Sequence, residues 1–292
     1  MRLGYTGRMS KPPHLFEHLG PKAQVEPEAT CCRLTERVWL KYLELAGNLM
    51  PAPDSREFLV MKMLYIAEMT SSAIRLNMSW GLTHPAMSLF RDRYEQTLRF
   101  SWLVRNPDPQ SWSKYDRTKF AKMGDLARSV SAETRAHFEK LLGPIPSWAK
   151  HPLTKEQRAF FEEWSQLDLR SMGEKRDAFP PLADEQVAKE KLGDWYDGIY
   201  KQFSSVSHYD RYSLDLLAIN KTSRGTVYLG APAHWTPMVI LQNAHFDIVQ
   251  CFEAAHVFHS RDAASIFNAF LLEWHALAKV MAPRSEDIIG SP

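Results

Sequence analysis

Residues 238–258 read "MVILQNAHFDIVQCFEAAHVF". The run is apolar enough to raise the question of a membrane span, which takes roughly 20 predominantly apolar residues. Gln242, Asn243, His245, Asp247, Gln250, Glu253 and His256 answer it, because so many polar side chains would lack partners in hydrocarbon. The segment is expected instead as a helix of a folded bundle. Thr236 and Pro237 supply the opening signal, and the helix should run to about His259.

Helical signals continue on both sides of it. "WLKYLELAGNLM" (39–50) is the amphipathic body of a helix over 36–49, with Thr35 as N-cap. After "PAPDS", Asp54 or Ser55 caps "REFLVMKMLYIAEMTSSAIRLNMSW", which is apolar over so much of its surface that it is expected at the centre. Thr83 or His84, followed by Pro85, opens a third helix that "NPDP" stops near Asn106. Residues 111–142 carry a broken, charged helical pattern, and Thr154 with Gln157 forms a capping box for the next helix. "SMGEKRDAFPPLAD" (171–184) reads as a loop, and a helix follows from about Glu185 to about Leu217 with an interruption at Gly193. Strand character is confined to a short hairpin near 218–230. Asp262 caps the last helix, "AASIFNAFLLEWHALAKVMA". The expectation is an all-α fold: one multi-helix, bundle-like domain over 31–282, an irregular N-terminal arm at 1–30 and a loose C-terminal tail at 283–292.

Composition narrows the function classes. Hydrophobic residues make up 45% and charged residues 24%, with a net charge of +2, so nothing marks a dedicated polyanion binder. Cys31, Cys32 and Cys251 match no zinc spacing and read as reduced thiols of a cytoplasmic protein. The first 22 residues hold Arg2, Arg8, Lys11 and Lys22 against Glu17 and lack the apolar core of a secretory signal. A nucleic-acid partner rests only on this arm and on Lys114, Arg117, Lys119, Lys122 and Arg128. Asp116 and Asp125 interrupt that cluster, and a solvated face is the plainer reading.

Two helices carry polar groups where apolar ones are expected. With Arg91 as the angular origin, Met87, Tyr94, Glu95, Leu98 and Trp102 fall within about 60°, whereas Asp92, Arg93 and Gln96 point toward solvent. A charge on that stripe needs a partner, and Arg91 and Glu95 are spaced i,i+4 to serve each other. In "YKQFSSVSHYDR" (200–211), Tyr200, Ser204, Ser207, His208 and Arg211 lie within one arc of about 100° beside Leu192, Tyr196, Ile199, Phe203 and Val206. The expected site brings the two stripes together around an interior polar pocket.

"AMSLFRDRYEQTLRFSWLV" and "YKQFSSVSHYDRYSLDL" also resemble an uncharacterised bacterial all-helical family, catalogued as a domain of unknown function. Its members share an R-x-x-x-E helix and a later Y-x-x-x-S-x-x-x-H. Arg91, Glu95, Tyr200, Ser204 and His208 stand at those positions. The similarity covers roughly 55–110 and 190–220 and implies an all-helical fold. A weaker echo is of the HEPN superfamily of nucleotide-binding and ribonuclease domains, whose ribonucleases carry R-x(4–6)-H on one helix. Here that spacing occurs only at Arg8 and His14, in the N-terminal arm, unless Arg91 and His208 rebuild the pair across helices.

The leading functional reading is a binding module of a stress or defence system. It takes a small anionic ligand, a nucleotide among them, with Arg91 holding the anion, Tyr200, Ser204 and Ser207 donating hydrogen bonds, and Glu95 orienting Arg91. The first alternative is a hydrolase or phosphodiesterase with His208 as general acid/base, Arg91 as electrostatic stabiliser and Glu95 in support. The second is a metalloenzyme using His208, Glu95 and the E-x-x-H of Glu253 and His256. No second E-x-x-H occurs in the chain, so neither a metal nor a cofactor is expected. His245 and His256 lie about 16 Å apart along one helix and cannot share an ion.

Overall fold

The computed structural model describes residues 25–47, 51–52, 55–79, 82–115, 118, 124, 128–142, 144, 151–156, 167–201, 203–204, 218–221, 227–230 and 235–281. The elements in chain order are α1 (Val25–Ala46), α2 (Arg56–Ser79), α3 (Thr83–Arg105), α4 (Ala132–Leu142), α5 (Leu169–Asp177), α6 (Gln186–Lys189), a π-helical turn (Tyr196–Tyr200), strands β1 (Ala218–Lys221) and β2 (Val227–Gly230), α7 (Trp235–Phe258) and α8 (Ala263–Met281). The fold is all-α. Its one described sheet is the expected hairpin, antiparallel, with Ala218 opposite Gly230 and Lys221 opposite Val227.

At the centre stands α7, not α2. α7 packs against α1, α2, α3, α6 and α8, and every residue from Val239 to Ala255 is buried. α2 instead packs against α3 and α7 and leaves Tyr65, Ile66, Met69 and Leu76 exposed. An apolar helix surface identifies a helix with many neighbours, but it does not rank two such helices. The ranking follows from the packing among the described residues, where α7 touches helices on all sides and α2 packs chiefly on α3 and α7.

Several boundaries differ from expectation for local reasons. α1 starts at Val25, so the expected cap Thr35 lies buried inside the helix and residues 25–30 are not irregular. Pro27 sits in the first turn, where its missing N–H costs nothing. Glu28, Cys31, Leu34, Thr35, Val38 and Tyr42 then follow a helical period on the inner face. Gly47, at φ 64°, ends the helix in the left-handed conformation that glycine adopts without strain. Ser55 caps α2 by accepting the Phe58 N–H at 3.1 Å. α3 ends at Asn106, before Pro107, as expected. The capping box of Thr154 and Gln157 has its second member outside the described residues.

Most of α5 falls within the segment that reads as a loop at 171–184. Asp168 caps it through the Ser171 N–H at 2.8 Å, and buried Met172 and Arg176 anchor it, so tertiary burial overrides the weak local propensity of a Gly- and charge-rich stretch. The long helix expected over 185–217 is divided by a non-helical stretch through Gly193, into α6 and the helical segment that includes the π turn. Among the described residues no helix is long and apolar enough to cross a membrane. All three cysteines are free, and burial pushes the Cys31 and Cys251 thiols up from their ordinary value.

The charged residues of α7 meet partners on α2, α3, α5 and the segment after α6. Asp247 takes Arg93 Nη2 at 2.6 Å and the Ser71 hydroxyl at 2.6 Å, while Asn243 Nδ2 donates to the same Ser71 at 2.8 Å. Arg93 Nη1 donates to Thr97 at 2.7 Å. Burial pushes the Asp247 carboxyl up, and the Arg93 guanidinium and Ser71 hydroxyl are what favour its charged form. Removing one partner of such a pair strands the other, so Asp247→Ala is expected to cost about 3–5 kcal/mol. The apolar double variant Arg93→Met/Asp247→Leu should cost less than Asp247→Ala alone. Urea melts check this, and a double variant as costly as the summed singles would show that the two charges do not couple.

Candidate functional site

The expected burial of Arg91 with Glu95 is corrected by the structure. The fully buried arginine of α3 is Arg93, which was expected in solvent. Glu95 lies near the surface and pairs with Arg99, one turn on, at 2.8 Å. Met87, Tyr94, Leu98 and Trp102 are buried as expected, but so are Phe90, Arg93, Thr97, Ser101 and Arg105. The buried face of α3 is therefore broader than one stripe and centred closer to Phe90, because α2, α5 and α7 all pack on it. That places Arg91 and Glu95 on its rim.

Arg91 does meet the second helix. Its Nη2 donates to the Tyr200 hydroxyl at 3.2 Å, and the guanidinium lies 5.2 Å from the Tyr200 ring centroid. Tyr200 stacks on Tyr196 with centroids 5.2 Å apart and planes 20° from parallel, and Tyr94 tilts against it at 5.9 Å. Next to this pair, Phe203 packs edge-on against Phe90 at 5.5 Å. Ser204 is half-buried on the same segment. Ser207 and His208 lie outside the described residues.

Two features mark this rim. Tyr196–Tyr200 is a π turn, closed by the Lys201 N–H on the Tyr196 carbonyl, and π turns inside helices recur at functional positions. Arg91 also retains donors: Nε is buried and meets no acceptor among the described residues, and no carboxylate there forms an ion pair with it. The Tyr200 hydrogen bond, with Asp92 and Glu95 nearby, raises the guanidinium further above its ordinary value against the opposing effect of burial.

The residues that sequence reasoning missed form a second buried network toward the end of α7. Arg176 Nη2 donates to Glu253 at 2.7 Å, and Arg176 Nε donates to Ser101 at 2.6 Å. Ser101 in turn donates to the same Glu253 oxygen at 2.7 Å, and Arg105 approaches it at 3.9 Å. Glu253 Oε1 is thus committed to Arg176 and Ser101, while Oε2 meets no hydrogen-bond partner among the described residues. Among the described residues no three His, Cys, Asp or Glu side chains gather to hold an ion. His245 is fully buried and bonds Glu190 at 2.9 Å, with its ring 4.7 Å from Trp274, while His259 meets the Tyr42 hydroxyl at 3.4 Å. A legible signal existed for part of this: Arg93, Thr97, Ser101 and Arg105 recur every fourth residue, a polar stripe along one line of α3.

Residues 57–225 match the family of unknown function DUF5677, and the chain belongs to that family. The match spans both motif segments and carries no link to the HEPN superfamily. No curated protein and no solved structure matches the chain.

Glu190 gives a pH signature. Burial is the largest single influence and would raise its carboxyl, but the His245 hydrogen bond and charge, together with the Gln186 hydrogen bond and the His275 charge, hold it below its ordinary value. A carboxyl depressed on folding contributes stability above its unfolded value, and that contribution is lost as pH falls through the folded one. Glu190→Gln is therefore expected to lower stability at pH 7 and to narrow the gap to wild type below about pH 4. Thermal melts across pH 3–7 check this; a gap that stays constant would show that the carboxylate's charge does not matter.

Proposed function

We propose that this protein is a binding module for a small phosphate-bearing anion, with nucleotides among the fitting ligands, and that Arg91 is its anion-holding group. The observation that carries the reading is the half-buried Arg91 guanidinium, seated against Tyr200 and with no ion-pair partner among the described residues. Two phosphate oxygens can take a guanidinium edge as a fork. Tyr200 accepts its hydrogen bond from Arg91, so its own proton is available to a ligand. Ser204, one turn further, offers another hydroxyl. Glu95 is engaged with Arg99 and stands near the site as a neighbouring charge, not as Arg91's partner. The free, buried Cys31 and Cys251 fit a reducing compartment such as the cytoplasm.

The test is calorimetric titration of the protein at low salt with inorganic phosphate, pyrophosphate, AMP, ADP and ATP. At least one is expected to bind, and Arg91→Gln is expected to lose about tenfold or more in affinity, because a charge-assisted hydrogen bond is removed. Glu95→Gln should change binding far less. Absence of binding by the wild type, or equal binding by Arg91→Gln, would overturn the reading.

A further inference from the structure

We infer that Asp177, with Gly173 one turn before it on α5, is the positioning group of the Arg91–Tyr200 site. It fixes the backbone from which the π turn starts and so sets where the Tyr200 hydroxyl meets Arg91. This rests on the reading of Arg91 and Tyr200 as an anion site.

The geometry runs through the 190–196 backbone. Asp177 Oδ1 accepts the Leu192 N–H at 3.0 Å, and Oδ2 accepts the Gly193 N–H at 2.7 Å. The Leu192 and Gly193 carbonyls then accept the Trp195 and Tyr196 N–H groups at 3.3 and 3.0 Å, which starts the turn. No side chain of the turn's own N-cap residue, Trp195, caps it. Asp177 therefore acts as a cap donated by another helix, with its negative charge at the N-terminal end of the segment. Arg176 Nη1 holds the same carboxylate at 2.8 Å and also donates to the Glu190 carbonyl. The Tyr94 hydroxyl donates to the Leu192 carbonyl at 3.0 Å, while the Tyr94 ring touches Tyr200.

Gly173 makes the approach feasible. A Cβ there would lie 2.7 Å from the Gly193 Cα, and a Cβ on Gly193 would lie 2.9 Å from Asp177 Oδ2 and 3.0 Å from the Gly173 carbonyl carbon. The atoms in the way at Gly173 are backbone, which cannot swing aside. The two chain segments therefore touch directly, and a displacement of one moves the other. α5 packs on both α3 and the π turn, so it is the common support of the site's two halves.

Two variants strike the seam from different atoms. Asp177→Asn keeps the shape and one acceptor, and leaves Arg176 tied to Glu253 and Ser101. Gly173→Ala inserts one methyl group. In crystal structures of both, the Arg91 Nη2–Tyr200 hydroxyl distance is expected to open beyond hydrogen-bond reach while the Arg93–Asp247 pair stays closed. Retention of the Arg91–Tyr200 contact in both variants would overturn the inference whether or not any ligand binds. With pyrophosphate as probe, Asp177→Asn should weaken binding about tenfold, and should cause no further loss in a Tyr200→Phe background, because its effect passes through that hydroxyl. Additive losses would show that Asp177 acts on the fold at large. Failure of the wild type to bind any of the phosphate-bearing anions tested would count against the anion reading, while the crystal comparison would still decide the positioning role.

Discussion

The burial of α7 sets the demands that α1, α2, α3, α6 and α8 answer. Seventeen consecutive residues, Val239 to Ala255, lie out of water, and Gln242, Asn243, His245, Asp247, Gln250 and Glu253 are among them. A helix buried on all sides gains from its apolar residues, but each of its charges must be matched where it lies. The Arg93–Asp247 pair is the deepest of these matches, with both side chains at 0% exposure. It ties α3 to α7 in one register. Ser71 ties α2 into the same network, and Arg176 and Ser101 bring α5 and α3 to Glu253.

This demand from the core also shapes the candidate site. Arg93, Arg105 and Arg176 are engaged with carboxylates of α7, so they anchor the fold. Arg91, two residues before Arg93 and next to buried Phe90, is left on the rim against an aromatic wall. Arg176 is the hinge between the two regions: one edge of its guanidinium serves Glu253, and the other holds Asp177 and the Glu190 carbonyl. The charge balance of the core and the position of the Tyr196–Tyr200 turn are therefore set by the same side chain.

The all-helical class, most helix ends and the hairpin were legible in the sequence because caps, prolines and periodicity are local signals. The meeting of Arg91 with Tyr200, 109 residues apart, was legible as two polar stripes seeking one another. Three things were not. A single apolar stripe puts Arg93 in solvent, whereas α3 is packed on by three helices and so is buried over a broad arc. The polar residues of 238–258 served to exclude a membrane span, although their partners on α3 recur every fourth residue. α5 has the local signals of a loop because the contacts that stabilise it, from Arg176 and Gly173, are made with residues distant along the chain. His208, the residue on which an acid–base reading depends, lies outside the described residues.

The central claim is a division of labour among arginines: those facing α7 hold the fold, and Arg91 meets the ligand. It can be read directly from the arginine side-chain Nε–H resonances of 15N-labelled protein, assigned by single Arg→Lys variants and followed during titration with pyrophosphate. The Arg91 resonance is expected to move saturably while those of Arg93, Arg105 and Arg176 stay in place. Movement of Arg93 or Arg176 with Arg91 unchanged would contradict it.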